Sequence, residues 1–256
     1  MLLAIDLGNT NLTIGLFEGT ELRHTFRATS DRSRTADEYA VLLRQLLTVH
    51  RIAAQAVDAA ILASVVPPLT EPVARAVETS FGLKPAIVGP GMKTGVSVLY
   101  DNPHEVGADR IVNAVAAYER AGGSAIVVDL GTATTFDCIG DTGEYLGGVI
   151  APGVQVSLNA LMEKAAKLRP IEIAVPPRVL GRNTAHSLQA GVIYGYSSLI
   201  DGVVERLRAE MNDVKLVIAT GGLAGILAPY AKTVDAVDQD LTLVGLRLLH
   251  ERNDRR

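Results

Sequence analysis

The 256-residue chain carries 24 Lys and Arg against 28 Asp and Glu, a formal charge of -4, with 48% apolar and 4% aromatic residues. This balance leaves no basic excess for nucleic-acid phosphates, so a nucleic-acid partner is not expected. A single cysteine, Cys138, excludes an internal disulfide framework and a cysteine cluster for zinc, which favours the reducing cytoplasm. We expect neither a signal peptide nor a membrane span, because the N-terminus lacks a basic region and no apolar run approaches ~18 residues.

The first half of the chain predicts a hairpin followed by alternating helices and strands. Residues 4–16, AIDLGNTNLTIGL, read as a buried strand, a tight Asp-Leu-Gly turn and a second strand, and a third strand follows. Thr35 and Glu38 form a capping box before an apolar stripe, which predicts a helix over 36–50. The pattern also predicts a strand at 59–66 closed by Pro67-Pro68, a helix at 70–80, a strand at 85–88, and a helix from Asp109 to the Gly122-Gly123 stop.

The second half opens with a copy of the same hairpin. Residues 127–139, VVDLGTATTFDCI, repeat the order of strand, Asp-Leu-Gly and strand. The pattern then predicts helices at 153–167, 185–211, 222–229 and 240–251, and a strand at 215–219 that leads into Thr220-Gly221-Gly222. We therefore predict an α/β fold of two like domains, 1–118 and 119–256, which pack closely and share a cleft. The last helix of the second domain can instead pack back on the first domain.

Both Asp-Leu-Gly turns are suited to binding phosphate. Gly8 lets the backbone approach an oxyanion, and Asp6 can hold a hydrated Mg²⁺. Groups that can donate to phosphate oxygens follow at Asn9, Thr10, Asn11 and Thr13. An ordinary hairpin would explain one copy, but two copies favour two phosphate loops that face each other across a cleft. The chain has neither G-x-x-x-x-G-K-[ST] nor G-x-G-x-x-G after a strand, so this mode of phosphate binding lacks a P-loop lysine.

Three motifs, in order, give the chain a resemblance to a known family. They are Asp6-Leu7-Gly8-Asn9-Thr10, Gly107-Ala108-Asp109-Arg110 and Asp129-Leu130-Gly131-Thr132-Ala133. Together with Thr220-Gly221-Gly222 near the end of the chain, the paired hairpins resemble the actin, Hsp70 and sugar kinase superfamily. In that superfamily, two RNase H-like (actin-like ATPase) domains in tandem clamp ATP between them. Within that superfamily the ordered set is similar to type III pantothenate kinases over essentially the whole length.

The resemblance implies transfer of the γ-phosphoryl group of ATP to pantothenate, the first step of coenzyme A synthesis, by a homodimer that uses Mg²⁺ and a monovalent cation, K⁺ or NH₄⁺. It places the monovalent cation at Asp129. It places ATP at Asp6, Leu7, Gly8, Asn9, Thr10, Asn11, Leu12, Thr13 and Thr132. It places pantothenate at Tyr100, Gly107, Ala108, Asp109, Arg110 and Thr184.

The residues of the Gly-Ala-Asp-Arg motif can also be interpreted without the family. Asp109 follows a glycine at a predicted helix start, where its carboxylate can accept the proton of an attacking alcohol. The alternative is a first-turn acid that the helix dipole stabilises. Arg110 can pair with the carboxylate of pantothenate, or form a surface ion pair with Glu105 or a neighbour.

Several other positions have a structural alternative. Taken alone, Tyr100 would be assigned to the core and Thr184 to a helix N-cap. Gly221 and Gly222 can lie against adenine or ribose, or simply start a helix. Gly191 and Gly195 indicate close packing of a helix, within the fold or between subunits.

Two further functions stay open at this point. One is a kinase for another small acid or sugar. The other is a non-catalytic, nucleotide-dependent regulator built on the same fold, against which the chain shows no helix-turn-helix extension and no basic patch. The histidines are scattered and Cys138 is of the core type, so the sequence does not predict a zinc site.

Overall fold

The computed structural model describes residues 1–165, 168–211 and 213–254. The chain divides into two compact units. The first unit comprises Met1–Gly95, Asn102–Ala116 and the segment from Thr242 onward, and the second comprises Val96–Asp101 and Ala117–Leu241.

Each unit is built on a five-stranded mixed sheet. The first sheet consists of β1 (Leu2–Leu7), β2 (Asn11–Glu18), β3 (Glu21–Thr29), β4 (Ala59–Ser64) and β5 (Ala86–Ile87), and the second of β6 (Ala125–Leu130), β7 (Ala133–Ile139), β8 (Tyr145–Pro152), β9 (Leu216–Thr220) and β10 (Ala236–Val237). The strand orders are β3-β2-β1-β4-β5 and β8-β7-β6-β9-β10. In each sheet an antiparallel meander is extended by two parallel strands. The predicted α/β fold of two like halves is therefore confirmed.

Seven α-helices connect and cover the strands of the described chain. They are α1 (Ala36–Val49), α2 (Pro67–Phe81), α3 (Ala108–Ala121), α4 (Val154–Lys164), α5 (Thr184–Glu210), α6 (Ala224–Leu227) and α7 (Leu241–Asp254). The capping box predicted before α1 is present, with both the Thr35 and the Glu38 side chains bonded to backbone amides. No helix among the described residues is long and apolar enough to cross a membrane.

Three predicted elements differ from the observed ones in their bounds or extend beyond the described residues. Pro67 and Pro68 do not close β4, which ends at Ser64; they occupy the first turn of α2, where a missing N–H costs nothing. The helix predicted at 222–229 is α6, only four residues long, followed by a 3-10 turn. The helix predicted at 153–167 ends at Lys164, and residues 166 and 167 lie outside the described chain.

Each unit has its own apolar core on one face of its central strand. In the first unit, Leu3, Ile5 and Leu7 of β1 pack with side chains of α1 and α2. In the second unit, Ile126 and Val128 of β6 pack with side chains of α4, α5 and α6. Because side chains alternate along a strand, Asp6 and Asp129 project from the face opposite to these clusters.

The last helix, α7, packs on the first sheet and on the start of α3. A Cβ added at Gly15 of β2 would lie 3.0 Å from Leu243, and one added at Gly245 would overlap the carbonyl oxygen of Val112. Thr242 donates a hydrogen bond of 2.7 Å to Asn113. Glycine at both contacts thus lets α7 approach the first unit closely, so from Thr242 onward the chain belongs to that unit.

Candidate active site

The first hairpin exposes polar groups at its turn. Leu7 and Leu12 are the last paired residues of β1 and β2, so Gly8 to Asn11 form the turn. The Gly8 amide donates to the Asn11 carbonyl at 3.0 Å, and a Cβ at Gly8 would lie only 3.2 Å from that oxygen. Asn9, Thr10 and Asn11 are exposed. The turn therefore presents amides and hydroxyls to solvent, as phosphate binding requires.

Not every predicted ATP-binding residue of this hairpin can use its side chain. Leu7 and Leu12 are fully buried in the apolar core, so only their backbone groups can face a ligand. Asp6 and Thr13 are paired across the two strands and are half-buried. The polar part of the first hairpin thus runs from Asp6 and Thr13 to the exposed turn.

A cation that the motifs do not indicate lies at the same turn. Arg32 is exposed and donates a hydrogen bond of 3.3 Å to the Asn9 side chain. The Ser30 amide donates to the Thr10 carbonyl at 3.0 Å, which ties the end of β3 to the turn. Arg32 therefore places positive charge beside the groups predicted to bind phosphate.

The second hairpin has a shorter turn. Leu130 pairs with Thr134, so Gly131, Thr132 and Ala133 form the turn, one residue fewer than in the first hairpin. The Gly131 amide donates to the Ala133 carbonyl at 3.0 Å, and Thr132 is exposed. The Thr132 hydroxyl thus stands where Asn9 and Thr10 stand in the first hairpin.

Two glycines far along the chain support the second hairpin. A Cβ at Gly153, just before α4, would overlap the carbonyl oxygen of Thr132. Gly221 has a φ of +90°, and a Cβ there would lie 2.5 Å from Oδ1 of Asp129 and 2.8 Å from the Leu130 backbone nitrogen. Both turns therefore pack directly against the hairpin, and Gly221 is required for the environment of Asp129. This requirement goes beyond a simple helix start.

Asp109 lies in the first turn of α3. Its Oδ1 accepts a hydrogen bond of 2.8 Å from the Arg110 amide. A Cβ at Gly107 would lie 2.5 Å from the same oxygen, so glycine leaves room for the carboxylate. Burial raises the pKa of Asp109, an effect that the hydrogen bond and charge of Arg110 oppose without reversing. The side chain is a carboxylate with increased proton affinity, as a general base needs.

The Asp109 turn and the first hairpin meet at Val65. The Val65 amide donates to the Leu7 carbonyl at 3.1 Å, at the end of β1. A Cβ at Gly107 would lie 3.4 Å from the Val65 side chain. The first unit thus brings the phosphate turn and the Gly-Ala-Asp-Arg motif to one edge of its sheet.

Arg110 is a buried residue, with 9% of its surface exposed. Arg110 is therefore not a surface residue, and an ion pair formed by its side chain would be a buried one. Glu105, the partner considered for such a pair, accepts a hydrogen bond of 2.9 Å from Asn102. A buried guanidinium needs anionic or polar partners, because burying a charge without them is costly.

Tyr100 and Thr184 both belong to the second unit, on two different segments of the chain. The half-buried Tyr100 ring contacts β8 at Tyr145 and Gly147. Thr184 is exposed and is the first residue of α5, whose N-cap is Asn183; the Asn183 side chain accepts from the His186 amide at 2.8 Å. The N-cap alternative for Thr184 is therefore wrong, and its hydroxyl is not used to cap the helix.

The remaining candidates have structural explanations. Cys138 is buried in the second core. Across the described ranges, no three His, Cys, Asp or Glu side chains are grouped so that they could hold a metal ion. Nothing lies within 4 Å of a Cβ added at Gly191 or Gly195, so the prediction of close packing within the fold is wrong for these glycines.

The fold is that of sugar kinases and actin-like ATPases. A glucomannokinase from Arthrobacter sp. strain KM superposes with a TM-score of 0.51 at 15% identity, covering 98% of both chains. A Campylobacter jejuni protein, provisionally assigned as a Baf family transcriptional activator, superposes with a TM-score of 0.62 at 21% identity, covering 99% of this chain and 100% of its own. At these identities the similarity establishes the fold alone.

Sequence similarity identifies the family. The type III pantothenate kinase family matches residues 2–206. The type III pantothenate kinases of Moorella thermoacetica and Pelobacter propionicus are 51% and 53% identical over 99% of this chain and 100% of their own lengths. The chain belongs to the type III pantothenate kinase family, and it is an ATP-using phosphotransferase.

Proposed function

We propose that this chain transfers the γ-phosphoryl group of ATP to the terminal hydroxyl of pantothenate, giving 4'-phosphopantothenate for coenzyme A synthesis. The observation that carries the proposal is Asp109: a half-buried carboxylate with raised pKa, beside the phosphate turn of the first unit, in a chain of this family. Proton acceptance by Asp109 from the attacking hydroxyl makes the oxygen a better nucleophile.

The phosphates of ATP are bound by the hairpin turns in this proposal. Amides and side chains from Gly8 to Asn11 and the Thr132 hydroxyl donate to phosphate oxygens, and Arg32 contributes a positive charge. Gly221 and Gly222 stay predicted nucleotide contacts. These groups replace the P-loop lysine that the chain lacks.

The acceptor is positioned by the Gly-Ala-Asp-Arg motif together with Tyr100 and Thr184. Arg110 is proposed to bind the pantothenate carboxylate, because a buried guanidinium suits a bidentate contact with a planar anion. The contact would hold pantothenate by the end remote from the reacting hydroxyl, so that the hydroxyl faces Asp109.

Two cations complete the proposed chemistry. Asp6 and Asp129 are half-buried carboxylates at the bases of the two phosphate turns, and oxygen donors of this kind suit both Mg²⁺ and K⁺. Asp6 would hold Mg²⁺ through water, and Asp129 would hold K⁺ or NH₄⁺. Bound cations neutralise negative charge on the phosphates during transfer.

An acceptor panel tests this function. The protein is incubated with Mg²⁺-ATP and pantothenate, sugars or other small hydroxy acids, in K⁺ or in Na⁺ buffer, and ADP is measured. We expect ADP above background with pantothenate only, and a fall of about tenfold or more in Na⁺, because losing even ~1.4 kcal/mol of transition-state stabilisation costs a factor of ten. A sugar that supports turnover while pantothenate does not would contradict the assignment. Equal rates in both salts would remove the cation role of Asp129.

We also propose that the chain is a homodimer. Large apolar side chains are exposed on β8 and α4, including Ile150, which is 63% exposed, and Leu161. The open surface at Gly191 and Gly195 on α5 is a further place where another subunit can approach closely. Sedimentation equilibrium is expected to give twice the 27.1 kDa chain mass; a chain of single mass at assay concentration would contradict the dimer. A cytoplasmic location stays a prediction.

A further inference from the structure

A carboxylate to which no role has been assigned so far is buried inside the second unit. Asp137 of β7 is completely inaccessible to solvent, as is Tyr145 of β8. The Tyr145 hydroxyl donates to Oδ1 of Asp137 at 2.8 Å, and the Thr135 hydroxyl lies 3.4 Å from Oδ2. Burying a carboxylate costs free energy unless hydrogen bonds compensate, so this pair fixes the Tyr145 ring at its outer end.

Tyr145 also holds the chain segment that leads to Tyr100. The Tyr145 amide donates to the Ser97 carbonyl at 2.8 Å, and the Leu99 amide donates to the Tyr145 carbonyl at 2.9 Å. Val98 and Tyr145 form an isolated parallel bridge. Residues 97–99 are therefore attached to the outer edge of β8 through one residue, and Tyr100 follows immediately.

The Tyr100 ring rests on the same residue and on a glycine beside it. The ring centroids of Tyr100 and Tyr145 are 6.3 Å apart at an interplanar angle of 55°. Gly147 has a φ of +133°, and a Cβ added there would lie 3.8 Å from the Tyr100 ring. Main-chain bonds and ring contacts together hold the Tyr100 ring against β8.

We propose that Tyr145, anchored by Asp137, is a positioning residue for Tyr100 and thereby sets the affinity of the enzyme for pantothenate. The inference depends on the proposed function, in which Tyr100 contacts the acceptor. Neither Tyr145 nor Asp137 touches the substrate in this account. Their effect reaches pantothenate only through Tyr100.

Tyr145→Phe tests the proposal, because it removes the hydroxyl and keeps the ring and the main-chain bonds. We expect the KM for pantothenate to rise about fivefold, the value of one typical hydrogen bond, which a displaced Tyr100 would lose to pantothenate. The kcat and the KM for ATP should stay within about twofold. Tyr230→Phe is the matched control, since Tyr230 is exposed and its ring contacts only Tyr194 among the described aromatic contacts. It is expected to change neither KM.

A double mutant separates positioning from general destabilisation. Tyr100→Ala removes the group being positioned, so Tyr145→Phe added to it should leave the KM for pantothenate unchanged. Equal effects of Tyr145→Phe in the presence and absence of Tyr100 would overturn the inference, as would an unchanged KM for pantothenate in Tyr145→Phe. If wild-type protein does not phosphorylate pantothenate, the proposed function fails; if Tyr100→Ala alone leaves the KM unchanged, the role of Tyr100 fails.

A second variant keeps the test available if Tyr145→Phe does not fold. Asp137→Asn retains an acceptor for the Tyr145 hydroxyl but weakens the hydrogen bond by removing its charge. We expect a smaller rise in the KM for pantothenate and none in the KM for ATP. An unchanged pantothenate KM in folded Asp137→Asn, verified by thermal melting, would overturn the proposal.

Discussion

Asp109→Asn is expected to lower kcat by about 10²- to 10⁴-fold, the usual contribution of a general base, while ATP still binds. The amide keeps the size of the side chain and can still accept a hydrogen bond from the Arg110 amide. It has no useful affinity for the proton of the attacking hydroxyl. Steady-state kinetics with pantothenate and a separate nucleotide-binding measurement distinguish the two effects.

Asp37→Asn is the matched control for this variant. Asp37 is the second residue of α1, as Asp109 is of α3, but it is exposed and far from any motif in the sequence. An acid that only stabilises a helix dipole would give the same small loss of stability at either position. Near-normal kcat in Asp109→Asn would reduce Asp109 to such a helix-capping acid.

The raised pKa of Asp109 also predicts how the difference in stability between the wild type and Asp109→Asn depends on pH. Because the folded-state pKa lies above the ordinary value of 3.8, the fold binds this proton more tightly than the unfolded chain does. The ionised carboxylate therefore destabilises the wild type at neutral pH, and Asp109→Asn should melt at a higher temperature there. This difference should shrink as pH falls through the raised pKa toward 3.8. A variant that melts lower than wild type at neutral pH would contradict the sign.

Gly221→Ala is expected to damage both stability and ATP use. An alanine at this positive φ would be strained. Its Cβ would also overpack against Asp129 and the Leu130 backbone. We expect the free energy of unfolding to fall by about 2 to 5 kcal/mol. Displacement of the hairpin by about 1 Å would lower kcat/KM for ATP about a hundredfold. Chemical denaturation and kinetics at varied ATP measure the two effects.

Gly122→Ala separates backbone strain from the contact with Asp129. Gly122 has a φ of +62°, but nothing lies within 4 Å of an added Cβ. It should lose only the strain energy, about 1 to 2 kcal/mol, with unchanged kcat/KM for ATP. If both alanine variants reduced kcat/KM for ATP equally, the contact between Gly221 and Asp129 would have no specific role.

Local patterns predicted most of the elements that form the site. The alternation around Asp6 and Asp129 and the glycines after them define both hairpins, because strand period and turn chemistry depend on neighbouring residues only. Where two local signals competed, prediction was less accurate. Pro67 and Pro68 can end a strand or begin a helix, and the apolar contacts of α2 decide in favour of the helix.

The rest of the site depends on contacts between distant residues. In the sequence, Gly153 resembles any glycine before a helix. Only the structure shows that glycine is required there, because its turn packs on Thr132. Arg32 has no spacing in the sequence that connects it to Asn9. Asp137 looks like an interruption of an apolar strand until the structure shows the Tyr145 hydroxyl donating to its carboxylate. Long-range packing of this kind cannot be derived from one sequence.

Single-turnover transfer of labelled γ-phosphoryl from ATP to pantothenate tests the kinase activity and the role of Asp109 most directly. It is measured for the wild type and for Asp109→Asn at saturating nucleotide. We predict that the wild type labels pantothenate and that Asp109→Asn binds ATP without labelling it on the same timescale. Transfer at equal rates by both proteins, or no labelled pantothenate from the wild type, would contradict the account.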